Sequence, residues 1–376
     1  MLQLCKEVIL VAGVYIHIPF CSKICSYCDF AKTLYIDAWA DEYLKSLNNE
    51  IKLRYKKAPV TSLYIGGGTP SVLSINQLKT LFKICKIFKL KEDAEITIEC
   101  NINDLTLEKL ELFKKVGINR LSIGVETVND RLLKTLSREH TKEDLTRIMK
   151  TARSLGFDNI SFDYIYAIPG SNINDVKKDL VYLTSLKPDH FSAYSLIVEP
   201  HTELFVKKTL PVKEELDEAM YEYIRIYLKG KGYHQYEVSN YAKPGKGSVH
   251  NKIYWKNLPY YGFGLGAHSF LDHTRYANTK SLNKYIDKLY LVSKKELTKK
   301  EEMDETLMLG LRLREGINIK EFNNRFNTDL LANYDTSKCK IEDGFLRISR
   351  NKVYTMNSIL NDLISWEDKT DERTDI

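Results

Sequence analysis

Tyr15-Ile-His-Ile-Pro-Phe-Cys-Ser-Lys-Ile-Cys-Ser-Tyr-Cys-Asp-Phe30 places Cys21, Cys25 and Cys28 so that three thiolates can face one inorganic centre. Iron–sulfur clusters are normally held by four cysteine thiolates. A tight loop that offers three leaves one iron of a [4Fe–4S] cube without a protein ligand, and an open iron is a place for chemistry. A structural zinc site would instead ask for four closed tetrahedral ligands, usually from paired C-x2-C elements, and buried free thiols would need no regular spacing.

Outward from this loop the chain settles into a rhythm. β-Branched, apolar runs recur at Val14–Ile18, Ser62–Ile65, Glu95–Glu99, Arg120–Val125, Ile160–Tyr166 and Phe191–Val198, with helical segments between them. That alternation predicts a parallel sheet wrapped by helices. Thr141 is placed to cap a helix whose third position is Asp144 and which stops at Gly156, and Leu107–Val116 stops in the same way at Gly117. The cysteine loop follows the first strand, at the carboxyl end where β/α sites are built. Periodicity alone leaves a partial barrel and an open doubly wound sheet equally available.

The rhythm changes near residue 230. His234–His273 is rich in aromatics, glycine, asparagine and histidine, and Asp304–Leu346 carries an apolar strip at Leu307, Leu311 and Leu313. The expected division is a β/α unit over 1–230, a connecting segment over 231–300 that carries the His250–Trp255 motif, and a smaller, mainly helical domain over 301–376 with a frayed end from Glu367.

With 376 residues, 43% of them hydrophobic and 28% charged, the chain can bury a full core. The 56 Lys and Arg outnumber the 50 Asp and Glu only slightly, and they are dispersed. Runs such as Arg54-Tyr-Lys-Lys57 and Lys294-Lys-Glu-Leu-Thr-Lys-Lys-Glu-Glu302 read as solvated faces, so no nucleic-acid partner is expected. Val8–Ile16 is too short to span a bilayer, and no transmembrane segment is expected. Cys5, Cys85, Cys100 and Cys339 have no regular spacing, which suits reduced thiols in a cytoplasmic protein.

The cysteine spacing, with an aromatic at Tyr27 before the last cysteine, resembles the radical-SAM superfamily. That resemblance implies an α/β partial (β/α)6 barrel and a [4Fe–4S] cluster on Cys21, Cys25 and Cys28, its open iron chelated by S-adenosylmethionine. Electron transfer from a low-potential donor would then cleave the sulfonium and release a 5′-deoxyadenosyl radical. Gly66-Gly-Gly-Thr-Pro70 resembles the glycine-rich element that meets the methionine end through Gly67, Gly68 and Thr69. The resemblance extends to Tyr15, Tyr27, Glu99, Glu126, Arg138, Asp163 and Ile197 as nucleotide-binding residues. Two positions depart from the family pattern: Glu126 stands where glutamine is usual, and Ile102 where a proline is expected.

Within the superfamily the chain is similar to the coproporphyrinogen III dehydrogenase-like branch, through Ser195-Leu-Ile-Val-Glu-Pro-His-Thr202, Tyr236-Glu-Val-Ser-Asn-Tyr-Ala-Lys-Pro-Gly245 and His250-Asn-Lys-Ile-Tyr-Trp255. Dehydrogenases of that branch carry a further cysteine where this chain has Phe30. The His-Asn-x-x-Tyr-Trp motif resembles the HemW-type haem chaperones, which implies haem as cargo, His250 as its ligand and apo-haemoproteins such as respiratory enzymes as recipients, reached by peripheral contact with a membrane. His234 and His268 compete as haem ligands. Two further readings stand beside this one: oxidative decarboxylation of coproporphyrinogen III, and a scaffold whose cluster is structural.

Overall fold

The computed structural model describes residues 12–349, 352 and 354–364. Cys5, the start of the Val8–Ile16 run and the tail from Glu367 lie outside them. The six expected strands are present as Ala12–Ile18, Pro59–Gly67, Lys89–Asn101, Arg120–Glu126, Ile160–Tyr166 and His190–Ser195. They lie side by side in chain order, and each pairs parallel to the next. The two ends of the sheet do not pair with each other, so the barrel is open.

Each strand has a polar and an apolar face, because successive side chains point to opposite sides. Val14, Ile16, Leu63, Ile65, Ile98, Leu121, Ile123, Phe162 and Phe191 join one hydrophobic core with Leu44, Leu47, Leu78, Leu81, Phe113, Leu145, Leu180 and Ile224 of the surrounding helices. Burying each such side chain contributes roughly 1.5–3 kcal/mol. The opposite face carries Tyr15, Tyr64, Thr97, Glu99, Ser122, Asp163 and Ser192. Register aligns them in rows, Tyr15 beside Tyr64 beside Thr97, Glu99 beside Ser122, and Asp163 beside Ser192.

Two helices end where the sequence predicts. Lys142–Ser154 has a capping box between Thr141 and Asp144, and Leu107–Lys115 is capped by Thr106. Gly156 and Gly117 follow with positive φ, 79° and 90°, the left-handed turn that stops a helix.

The expectation of a mere connection over 231–300 needs correcting. This stretch supplies six strands that enlarge the same sheet to twelve. His234–Gln235 and Asn240–Ala242 extend it antiparallel beyond the sixth strand, and Tyr260–Phe263 pairs parallel with Ala12–Ile18. His268–Leu271, Thr274–Asn278 and Leu291–Glu296 then continue antiparallel from there. The physical reason is that the first strand needed a partner on its other side, and one arrived from some 245 residues later. The C-terminal region forms a separate core around Met303, Leu307, Leu311, Phe322, Phe326 and Leu360. It is not purely helical: Ile317–Asn318, Lys340–Glu342 and Phe345–Arg347 make a small antiparallel sheet beside helices Lys299–Gly310, Ile319–Phe326 and Met356–Ile364.

Candidate functional site

The three cysteines line one cavity of about 430 Å³ at the carboxyl ends of the parallel strands. Their loop is held from outside: Ser26 donates its hydroxyl to the Thr135 carbonyl (2.7 Å) and its N–H to that of Leu136, and its own carbonyl accepts from Leu204 N–H. Thr69 Oγ1 lies 3.6 Å from Cys21 Sγ, and Arg138 Nη1 lies 3.9 Å from Cys25 Sγ. Burial pushes the Cys21 thiol up to about 11, so a thiolate there needs a neighbouring cation, which a bound iron supplies. Among the described residues no three His, Cys, Asp or Glu side chains are placed to share a single metal ion. A cube asks less: its irons occupy separate corners, and the thiols need only face one cavity.

Glycine at position 68 is obligatory. An added Cβ would sit 2.8 Å from the Pro19 carbonyl carbon, 2.9 Å from Cys21 Sγ and 2.9 Å from the Phe20 carbonyl oxygen. Its N–H donates to Ile18 O and that of Thr69 to Phe20 O, which ties the glycine-rich element to the cysteine loop.

The carboxylates arrive from successive strands. Glu99 accepts from Tyr64 OH (2.7 Å) and Gly67 N–H (2.9 Å), and Asp163 accepts from Ser122 Oγ at 3.1 and 3.2 Å. Glu126 ends the fourth strand at φ 60°, a left-handed conformation that costs a non-glycine residue about 1–3 kcal/mol. There its carboxylate lies 3.4 Å from Arg138, which also donates to the Gly124 carbonyl. Burial raises Glu99 and Glu126 each to about 7, with Tyr64 pulling the first down and Arg138 the second, and burial raises Asp163 as well. The Arg138 Nε proton has no partner among the described residues. Acceptors in excess of their cations, with one unsatisfied guanidinium donor, suit a ligand that brings an ammonium, a carboxylate and hydroxyls. The donor set therefore fits a cluster held by three thiolates together with an amino-acid nucleotide.

Of the residues expected to hold the nucleotide, Tyr27, Gly67, Gly68, Thr69, Glu99, Glu126, Arg138, Asp163 and Ile197 line this cavity. Tyr15 does not. It faces a neighbouring cavity, with its hydroxyl 2.9 Å from His17 Nδ1. Ile197 falls beyond the sixth strand and is 67% exposed at the mouth. Ile102, at the position where proline is expected, is fully buried in a short 3-10 turn.

His250 lines neither cavity. Its side chain is buried, with Nδ1 2.8 Å from Ser62 Oγ and Nε2 2.8 Å from Tyr254 OH, and its ring stacks on Tyr64 at 5.1 Å. Burial, with Arg120 nearby, lowers its pKa to about 3. In this conformation it is a neutral interior residue that positions two tyrosines, and neither nitrogen is free for iron. Helix Val249–Trp255, which carries it, is anchored by Glu95: that carboxylate accepts from Ser248 Oγ (3.2 Å), Val249 N (3.0 Å) and His250 N (3.1 Å), at the positive end of the helix. Glu95 escaped the motif reading. Its signal was the alternation Glu95-Ile-Thr-Ile-Glu99, which turns two acids and a threonine to the same inner face.

Likeness to known protein families agrees with this geometry. Residues 15–183 match the radical SAM superfamily, and residues 297–355 match the HemN C-terminal domain. The chain is 38% identical to the heme chaperone HemW of Bacillus subtilis over 90% of its own length and 94% of that protein's. It is 40% identical to the HemW of Lactococcus lactis, covering 83% of this chain and 84% of that one. The chain belongs to the HemW family. A HemW relative from Escherichia coli is 34% identical over 82% of this chain and 85% of its own. The solved coproporphyrinogen III oxidase HemN of Escherichia coli superposes with a TM-score of 0.83 over 95% of this chain and 90% of that one. At 22% identity, that likeness speaks for the fold alone. Membership of the radical SAM superfamily implies the [4Fe–4S] cluster and S-adenosylmethionine for HemW proteins. Among the described residues no helix is long and apolar enough to cross a membrane.

Proposed function

We propose that this protein is a haem chaperone: it binds haem as cargo and hands it to apo-haemoproteins, with a [4Fe–4S] cluster on Cys21, Cys25 and Cys28 and S-adenosylmethionine beside it. The observation that carries this reading is likeness along nearly the whole chain to proteins named heme chaperone. Phe30 supports it. Where the dehydrogenases of the branch have a further cysteine, this chain presents an apolar ring that is 64% exposed on the wall of the cluster cavity.

The residues divide the work by chemistry. Gly67, Gly68 and Thr69 offer backbone and hydroxyl groups to the methionine end, and Arg138 pairs with its carboxylate. Glu99, Glu126 and Asp163 take ammonium or ribose hydroxyl donors, while Tyr27 and Ile197 flank the adenosine. Bound there, the nucleotide supplies a radical source once the cluster is reduced by a low-potential donor. A cytoplasmic setting, respiratory apo-enzymes as recipients and peripheral membrane contact complete the proposal.

The test is anaerobic reconstitution with iron and sulfide, then haem titration in the visible spectrum and a coproporphyrinogen III turnover assay on the same sample, with reductant and S-adenosylmethionine. Saturable haem binding with no decarboxylated product supports the chaperone. Formation of protoporphyrinogen IX that depends on the three cysteines overturns it in favour of the dehydrogenase.

A further inference from the structure

Phe30 separates the cluster cavity from a second cleft of about 400 Å³, with Asp29, Gly67 and Glu99 shared between them. Its far side comes from residues 254–280. Tyr254 and Tyr260 meet edge to face there, 4.5 Å between ring centroids, and His268 and Lys280 stand at the rim.

The backbone that carries His268 is fixed. Gly262 approaches so closely that a Cβ on it would fall 1.8 Å from the His268 carbonyl oxygen, and Ser269 Oγ bridges to Gly262 N–H at 2.9 Å. Gly266, at φ 66°, leaves space that a Cβ would lose to Ala31, so this loop lies directly against the end of the cysteine loop. Gly266 N–H donates to Thr279 O (2.8 Å) and Asn278 N–H to Ala267 O (2.9 Å), which holds Lys280 beside it.

The imidazole on that fixed backbone is exposed and has no side-chain hydrogen bond among the described residues. Of the chain's eight histidines, His17 and His268 line these two cavities. His17 uses both nitrogens, toward Tyr15 OH (2.9 Å) and Ala31 O (2.6 Å). An open nitrogen beside flat aromatic surface, with an ammonium at the rim that has no hydrogen-bond or ion-pair partner among the described residues, is the set of groups that an iron porphyrin carrying carboxylates requires.

We propose that this second cleft receives one edge of haem, with His268 on the iron, Lys280 on a propionate and Phe30, Tyr254 and Tyr260 against the ring; this rests on the chaperone reading above. A cleft of this size leaves the opposite edge of the porphyrin at the surface, where an acceptor can reach it. His250 then acts beneath the site as a positioning residue, through its hydrogen bond to Tyr254.

The experiment titrates the reconstituted full-length protein with haem and, separately, with metal-free protoporphyrin IX, in the wild type and in His268→Ala and Lys280→Gln variants. His268→Ala is expected to weaken haem binding roughly tenfold and to shift the Soret band, as loss of a metal ligand or its support does, while protoporphyrin IX binding holds. Added imidazole restores the spectrum of that variant. Lys280→Gln weakens both porphyrins alike. Unchanged haem affinity and spectrum in His268→Ala would overturn this site and leave the chaperone reading standing. Equal loss of haem and protoporphyrin IX in that variant would overturn the iron ligation. A wild type that binds no haem overturns both. Unaltered cluster loading and circular dichroism in the variants exclude misfolding as the cause.

Discussion

The cluster cavity and the cleft behind Phe30 share a wall, yet they come from different parts of the chain. The first is built from the ends of parallel strands, where six successive β/α units bring carboxylates, glycines and thiols to one mouth. The second is closed by residues 254–280: helix Val249–Trp255 and the parallel strand Tyr260–Phe263 bring Tyr254 and Tyr260, and the antiparallel strands that follow bring His268, with Lys280 just beyond them. Chemistry that demands a fixed polar constellation sits on the parallel strands, whose register is set by burial on their other face. The added strands build a second chamber without disturbing it.

The largest expected effect separates the two. Cys25→Ser should abolish cluster loading, read as iron and sulfide content and visible absorption, while the protein still titrates with haem. Joint loss of both would show that the cavities are one site.

Glu95→Ala should strike both cavities from below. Arg120 and Glu95 are buried 4.0 Å apart, and the same carboxylate holds the start of helix Val249–Trp255, which carries Asn251 to the first cavity and Tyr254 to the second. Removing one partner of a buried pair leaves an uncompensated charge and costs roughly 3–5 kcal/mol. Denaturant midpoints give the measure, and a loss below about 1 kcal/mol, the range of an exposed pair, would contradict this account.

A pH series probes the wall the two cavities share, because Glu99, one of the raised carboxylates, lines both. Burial lifts Glu99 from 4.5 to about 7, so the folded protein holds that proton more tightly than the unfolded chain. Its contribution to stability is complete below about pH 4.5 and is lost as pH rises through about 7, on the order of 3 kcal/mol across the window. Glu99→Gln should flatten that slope in the cofactor-free protein. Calorimetry of S-adenosylmethionine binding near pH 6.5, in buffers of different ionisation enthalpy, should register proton release that the variant lacks.

The smallest effect belongs to the shared wall. Phe30→Cys changes an exposed side chain, so stability should move by no more than about 0.5 kcal/mol. No decarboxylated product is expected, because the rest of the cleft is unaltered. Gain of turnover would make that single position the divide between carrier and dehydrogenase.

The first cavity was largely legible in the sequence, and the second was not. Cys21, Cys25, Cys28, the Gly66–Thr69 run and the carboxylates at strand ends are local signals, each following a β-branched run, and the Thr141–Asp144 cap is local too. Ala12–Ile18 gave no hint that its second neighbour would be Tyr260–Phe263, because pairing at that separation is decided by the finished sheet. The setting of His250 was hidden from the sequence for the same reason. Its partner Ser62 lies 188 residues away, and that contact turns the imidazole inward. His268, in an unremarkable glycine-rich turn, acquires its setting only when Gly262 and Ala31 close around it.

The most direct test of the carrier function is kinetic. Haem-loaded, reconstituted protein is mixed with an apo-haem-b respiratory subunit, and separately with apomyoglobin as a passive scavenger, while the Soret band is followed. Transfer whose rate rises with subunit concentration and exceeds spontaneous release to the scavenger is the predicted result. A rate equal to spontaneous release at every subunit concentration would contradict delivery and reduce the protein to a haem binder.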